Sequence, residues 1–137
     1  MALRAAAAIL LVASACRGGE DPAPARQPAG TVAVDGEVAN DRGSLHVGPG
    51  GEVVVEAGDY FFAPTVLTGA VGLDRDVEVR NVGSVRHNIS IPGLRIDEDL
   101  EPGAATTLVV AFPESGSTVF FCRFHRARGM LGALVAT

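Results

Sequence analysis

An all-β fold, a small antiparallel sandwich or barrel of about seven to eight short strands, is what this sequence predicts. Three features carry that reading. Short runs rich in Val, Ile and Phe recur from Gly51 onward. Gly, Pro, Asn and Asp clusters separate them at strand-length intervals, and no apolar stripe of helical period is left over. The chain has 137 residues, a hydrophobic content of 47% and a charged content of 20%. One foldable domain is therefore the upper bound, and a wholly disordered chain is excluded. Eleven basic residues, all Arg, stand against 16 acids, for a net charge of -5 and a pI near 5.1. That balance argues against nucleic acid as the partner.

The N-terminal elements come first. Met1-Ala2-Leu3-Arg4 is a positively charged start, and Ala5 to Val12 is apolar but too short to span a bilayer. Ala13-Ser14-Ala15 then precedes Cys16, so residues 1–15 read as a secretory signal. Small residues directly before Cys resemble the bacterial lipobox, although Ala13 stands where that motif usually has Leu. The resemblance implies lipidation of Cys16 and an exported protein on the outer face of the cytoplasmic membrane or in the periplasm. An ordinary signal cut near Ala15 and a Cys16 to Cys122 disulfide are the alternatives. Arg17 to Gly30 is dominated by Gly, Ala, Pro and polar residues and reads as a tether. Thr31 to Val47 alternates briefly, with Val32 and Val34, but Gly36, Asn40 and Gly43 interrupt it, which fits a hairpin or more linker. Residues 16–50 are accordingly expected to be an anchored linker with at most a short hairpin, and residues 51–137 the folded domain.

The strands follow in order: Val53 to Val55, Tyr60 to Phe62, Val77 and Val79 alternating with Glu78 and Arg80, Ile89 and Ile91, Leu108 to Phe112, Val119 to Phe121, and Leu134 to Val135. Gly58-Asp59, Thr68-Gly69, Gly72, Asn81-Val82-Gly83, Pro92-Gly93, Pro102-Gly103, Pro113 to Gly116 and Gly129 are read as turns. Asp97, Glu98, Asp99 and Glu101 form an acidic run expected to be a solvated loop. Phe61, Phe62, Phe112 and Phe121 are expected in the core, and His46 on the surface.

One constellation stands apart from these structural residues. Cys122-Arg123-Phe124-His125 puts a thiolate and an imidazole two residues apart, and Met130 follows on the same turn between two strands. His87 opens the Ile89 strand, from which it can reach the same pole of a sandwich. A thiolate, two imidazoles and a weak thioether make a soft set that suits Cu(I) and tolerates Cu(II) in a trigonal arrangement with a long axial sulfur. A site that need not rearrange when its charge changes is what electron transfer requires. Structural zinc would call for more Cys or His and would not recruit Met130, and catalytic zinc or iron would favour a carboxylate or a third His.

His87-Asn88, followed by Cys122-x2-His125-x4-Met130 and Leu131-Gly132, resembles the blue copper proteins or cupredoxins, most closely the plastocyanin, amicyanin and pseudoazurin branch. Phe62-Ala63-Pro64, Val77 to Asn81 and Pro102-Gly103 extend the likeness across about Gly51 to Thr137. It implies a Greek-key β-sandwich with one type 1 copper ion on His87, Cys122, His125 and Met130. It also implies that Asn88 hydrogen-bonds across the ligand loops. Two departures stand out: Arg123-Phe124 lies where family loops often carry Pro or a small residue before the second His, and Phe120-Phe121 replaces the commoner Tyr.

The function implied is a membrane-anchored, monomeric electron carrier serving redox protein partners; copper storage or delivery is the alternative. Enzymatic readings lack support in the sequence. A Cys122/His125 hydrolase has no orienting acid or oxyanion motif, and a multicopper oxidase needs more than the three His present. Arg86, Arg123, Arg126 and Arg128 cluster about the ligands, and with Phe124 and Leu131 as apolar contacts they are expected to form a basic docking collar for an acidic partner.

Overall fold

The computed structural model describes residues 30–137, and the expected signal, Cys16 and the expected tether up to residue 29 lie outside them. Within that range the strands are β1 (Gly30–Val34), β2 (Glu37–Asp41), β3 (Ser44–Val47), β4 (Val53–Gly58), β5 (Phe61–Ala63) and β6 (Val66–Gly69). They continue as β7 (Asp74–Asn81), β8 (His87–Ile91), β9 (Ile96–Leu100), β10 (Ala105–Ala111), β11 (Ser117–Phe121) and β12 (Leu131–Ala136).

Alternation along the strands builds the core. On β7, Arg75, Val77, Val79 and Asn81 turn inward while Asp74, Asp76 and Arg80 face water. On β4, Val53, Val55 and Ala57 do the same. These residues belong to a four-stranded sheet in the order β10-β7-β4-β5, which packs on a six-stranded sheet in the order β3-β6-β12-β11-β8-β9. Leu67, Ile89, Ile91, Leu100, Phe120 and Leu134 supply the opposing face. Phe62 meets Phe120 edge to face, with centroids 5.2 Å apart, across the middle of the sandwich.

The sandwich was expected to be antiparallel, and it is mixed. β4 runs parallel to β7, and β6 runs parallel to both β3 and β12. The chain explains this: between β3 and β6 it crosses to the other sheet for β4 and β5, and between β4 and β7 it makes the reverse excursion. Each of these parallel pairs is joined through strands of the opposite sheet rather than by a hairpin.

Twelve strands among the described residues also exceed the expected seven to eight. Thr68-Gly69, read as a turn, ends β6 instead; a side chain on Gly69 would lie 2.9 Å from the Phe112 ring, so glycine is there for close packing. The acidic run 97–99, read as loop, is an edge strand paired with β8. Its charges face solvent, as suits an edge that must not recruit another strand.

The boundary expected at Gly51 is corrected as well, because residues 30–50 are folded. β1 and β2 form a hairpin around Asp35-Gly36, both at positive φ (48° and 82°). Val34 and Ala39 of this hairpin pack with Leu131 and Ala133 on the outside of the larger sheet. β3 joins that sheet through β6. Each of these strands buries few residues, so their alternation is too weak to mark them as domain.

Candidate metal centre

The loop between β11 and β12 is closed at its neck by a backbone pair: the Cys122 amide donates to the Met130 carbonyl at 3.0 Å. Inside it, the amides of His125 and Arg128 bond back three residues, to Cys122 and His125 respectively, at 3.1 and 2.9 Å. A short 3-10 turn over Arg126–Arg128 follows, and Gly129 ends it at φ 85°, where a side chain would be strained. The Met130 amide reaches the His125 carbonyl at 3.3 Å. Curling of this kind presents Cys122 and His125 to the same point. His87 arrives there as the first residue of β8, which is a neighbour of β11.

The donor atoms converge. His87 Nδ1 lies 3.2 Å from His125 Nδ1, which lies 3.5 Å from Cys122 Sγ, and all three are mutually within 4.8 Å. His87 and Cys122 are fully buried and His125 is half-buried. Cys122 is unpaired among the described residues. Met130 is fully buried at the base of the loop, with its backbone tied to both Cys122 and His125.

Hydrogen bonding sets the tautomer of His87. Its Nε2 lies 3.1 Å from Asp59 Oδ1, and since a carboxylate only accepts, the ring donates there and keeps the Nδ1 lone pair free. Asp59 is itself held by the Ser84 hydroxyl (2.6 Å) and amide (3.0 Å). The Ser84 hydroxyl above all, then the Ser84 amide and His87, lower the Asp59 carboxyl to a pKa of about 2, against the opposing effect of burial. Burial pushes the His125 imidazole below its usual pKa, helped by repulsion from His87 and Arg128. The lowered pKa favours the neutral, metal-accepting form of His125 at neutral pH.

Asn88 joins the two ligand segments. Its Oδ1 accepts from the Arg123 amide at 3.2 Å, next to Cys122, and its Nδ2 donates to Asp97 (2.7 Å) and Asp99 (3.0 Å). Three further residues, which sequence reasoning passed over, also reach the site. Asp59 is one, met only as part of a turn. Tyr60 is the second: its ring meets His125 edge to face with centroids 4.9 Å apart. Asn40 is the third, donating from Nδ2 to the carbonyls of Tyr60 and Arg128, each at 2.8 Å, and from its amide to Gly129 at 2.9 Å. No local pattern marks these residues; hairpin turns and linkers carry such side chains routinely.

The basic collar is not what the structure contains. Arg86 pairs with Asp99 and Glu101, Arg123 with Asp97 and Asp99, and Arg126 with Glu37. Arg128 stacks over Tyr60, 4.4 Å from the ring centroid. Three of the four cations are therefore balanced by acids that β2 and β9 bring alongside. Leu131 is 1% exposed beneath the hairpin and offers no contact to a partner. Phe124 is 43% exposed, between Arg86 and Arg123.

A soft thiolate with two imidazoles, and a buried thioether close by in the chain, fits copper better than zinc, which would take a second thiolate or a third His in place of Met.

The chain matches the family model of the cupredoxin-like domain over residues 7–136. No curated protein matches it in sequence. Among solved structures it is similar to dithionite-reduced auracyanin from the photosynthetic bacterium Roseiflexus castenholzii. The identity is 19%, over 64% of this chain and 99% of that one, with a TM-score of 0.50. Auracyanin A, a "blue" copper protein from Chloroflexus aurantiacus, has 17% identity over 64% of this chain and 100% of its own, also at 0.50. A reduced amicyanin variant has 22% identity over 64% and 83%, again at 0.50. At these identities the likeness is one of fold.

Proposed function

The chain belongs to the cupredoxin-like family, and from that premise we propose that it carries single electrons on one type 1 copper ion that His87, Cys122, His125 and Met130 would hold. The observation that supports this most is the convergence of two imidazole Nδ1 atoms and the Cys122 sulfur, all within 4.8 Å of one another, with the other nitrogen of His87 already committed to Asp59. Copper, when bound, supplies a Cu(I)/Cu(II) couple. The protein's own part is to hold the donors where both oxidation states accept them. Met130 and Cys122 are locked by the neck of the loop, and Asn88 ties that loop to the His87 strand.

His125, half-buried beside exposed Phe124, is the ligand nearest solvent and the natural exit for the electron. The partners are redox proteins. Because the surrounding arginines are paired, docking at this face relies on apolar contact at Phe124 more than on attraction to an acidic surface. Cys16, lipidated after removal of the signal, would hold the domain at the outer face of the cytoplasmic membrane through the tether.

Visible absorption tests the central claim. Protein loaded with Cu(II) is expected to show an intense thiolate-to-copper charge-transfer band, and Cys122→Ser to lack it. Only the weak absorption of an ordinary copper site in the unaltered protein would overturn the reading. A voltammetric wave that stays reversible over repeated cycles distinguishes a carrier from a module that gives up its copper.

A further inference from the structure

The β4–β5 turn places a carboxylate directly behind one of the metal-binding rings. We infer that Asp59 is a positioning and potential-setting residue: its carboxylate holds the His87 ring by Nε2 and favours the oxidised over the reduced metal. The inference rests on the copper ligation proposed above.

Three parts of the local structure converge on this one hydrogen bond. Asp59 sits in a tight turn whose next residue, Tyr60, is at φ 74°, so the backbone there is shaped rather than merely slack. Ser84 holds the carboxylate from the far side with both hydroxyl and amide. Between them lies Gly83, where a Cβ would stand 2.2 Å from Asp59 Oδ1 and 2.8 Å from His87 Nε2. Gly83 is not at positive φ, so its requirement is for space: any side chain would occupy the path of the Asp59–His87 contact. Asn81 fixes this loop in turn, accepting from the Gly83 amide at 2.9 Å and donating to the Val85 and Leu100 carbonyls.

His87 itself is fully buried. Its ring is shielded from bulk solvent, so the partner on Nε2 decides which nitrogen carries the proton and where Nδ1 points. The carboxylate also adds a fixed negative charge one imidazole away from the metal. Oxidation adds one positive charge there, so the anion stabilises Cu(II) relative to Cu(I) and lowers the potential. Asp59 is partly open to solvent, which screens the effect without removing it.

Asp59→Asn is the primary test, because it keeps the shape and the acceptor for His87 Nε2 while removing the charge. It should retain the charge-transfer band and shift the ratio of Cu(II) to Cu(I) affinity toward Cu(I) by about tenfold, seen as a potential raised by about 59 mV for one electron. Gly83→Ala should raise the potential too, with faster exchange of the His87 Nε2 proton by NMR, since it pushes carboxylate and ring apart. A retained band with an unchanged potential in Asp59→Asn would overturn the role of Asp59 alone. Absence of the band from the unaltered protein would overturn the copper reading and this inference with it. Should Asp59→Asn fail to load copper, Ser84→Ala decides: it removes the hydroxyl that holds the carboxylate and leaves only the Ser84 amide on it, and a raised potential supports the inference while an unchanged one defeats it.

Discussion

With copper held as proposed, Met130 and Asp59 would both bear on its couple, and single substitutions can tell them apart. Met130 is fully buried in a core that includes Phe62 and Phe120. Leucine has nearly its volume, so Met130→Leu should fold with little loss of packing. It removes a weak axial donor that favours Cu(II), and the variant should stay coloured with a raised potential and an altered spectrum. Asp59→Asn should raise the potential with the spectrum nearly unchanged, because no ligand atom is touched. Voltammetry and absorption on the two variants check this. Loss of copper from Met130→Leu would show that the sulfur does more than tune.

Between residues and the whole, the hairpin of β1 and β2 is the element that distinguishes this site. It lies on the outside of the β11–β12 pair and sends Asn40 to the ligand loop and to the Tyr60 turn at once. The hairpin therefore ties together the two turns that carry His125 and its ring partner. Its ion pair, Glu37 with Arg126, is half-exposed and contributes little to stability. The side-chain hydrogen bonds of Asn40 matter more, each worth roughly 0.5 to 1.5 kcal/mol net. Asn40→Ala is predicted to destabilise the protein by about 1 to 3 kcal/mol and to speed copper loss to a chelator, because the loop loses its side-chain ties at Arg128 and to the Tyr60 turn while the backbone bond to Gly129 remains. Denaturant titration and chelator kinetics measure the two effects. Unchanged copper release would confine Asn40 to stability.

On the scale of the molecule, the point where the tether enters the fold bears on how the carrier would work at a membrane. Gly30 pairs with Asp41, next to Asn40, so the chain enters at the ligand-loop end. Were Cys16 lipidated as proposed, the 13 residues of 17–29 would limit the reach of the domain to about 45 Å. An anchored domain would then present its copper end to partners within that radius of the membrane. Cys16→Ser is predicted to move the protein from the membrane fraction to the soluble one, or to leave it unprocessed, with the visible band unaltered. Recovery of unaltered protein in soluble form, with an N-terminus beyond Cys16, would count against the anchor. No helix among the described residues is long and apolar enough to cross a membrane.

The fold class and the grouping of Cys122, His125 and Met130 on one loop could be read from the sequence because both are local signals, whereas the meeting of His87 with Cys122 and His125 depends on β8 lying beside β11. Alternation reports a strand within a few residues, and Cys122, His125 and Met130 sit on one loop whose spacing is itself the geometry. Strands with weak alternation stayed hidden: β6 ends in a glycine that looks like a turn, and β9 carries three acids that look like a loop. Tertiary structure alone decided what surrounds the site. Asp59 meets His87 across 28 residues, Asn40 meets Arg128 across 88, and Glu37 meets Arg126 across 89. Such pairs are set by which strands lie side by side and by where a separate hairpin comes to rest. A charge read along the chain, such as the cluster of four arginines, cannot reveal the acids that β2 and β9 fold against it, so it misstates the field that a partner meets.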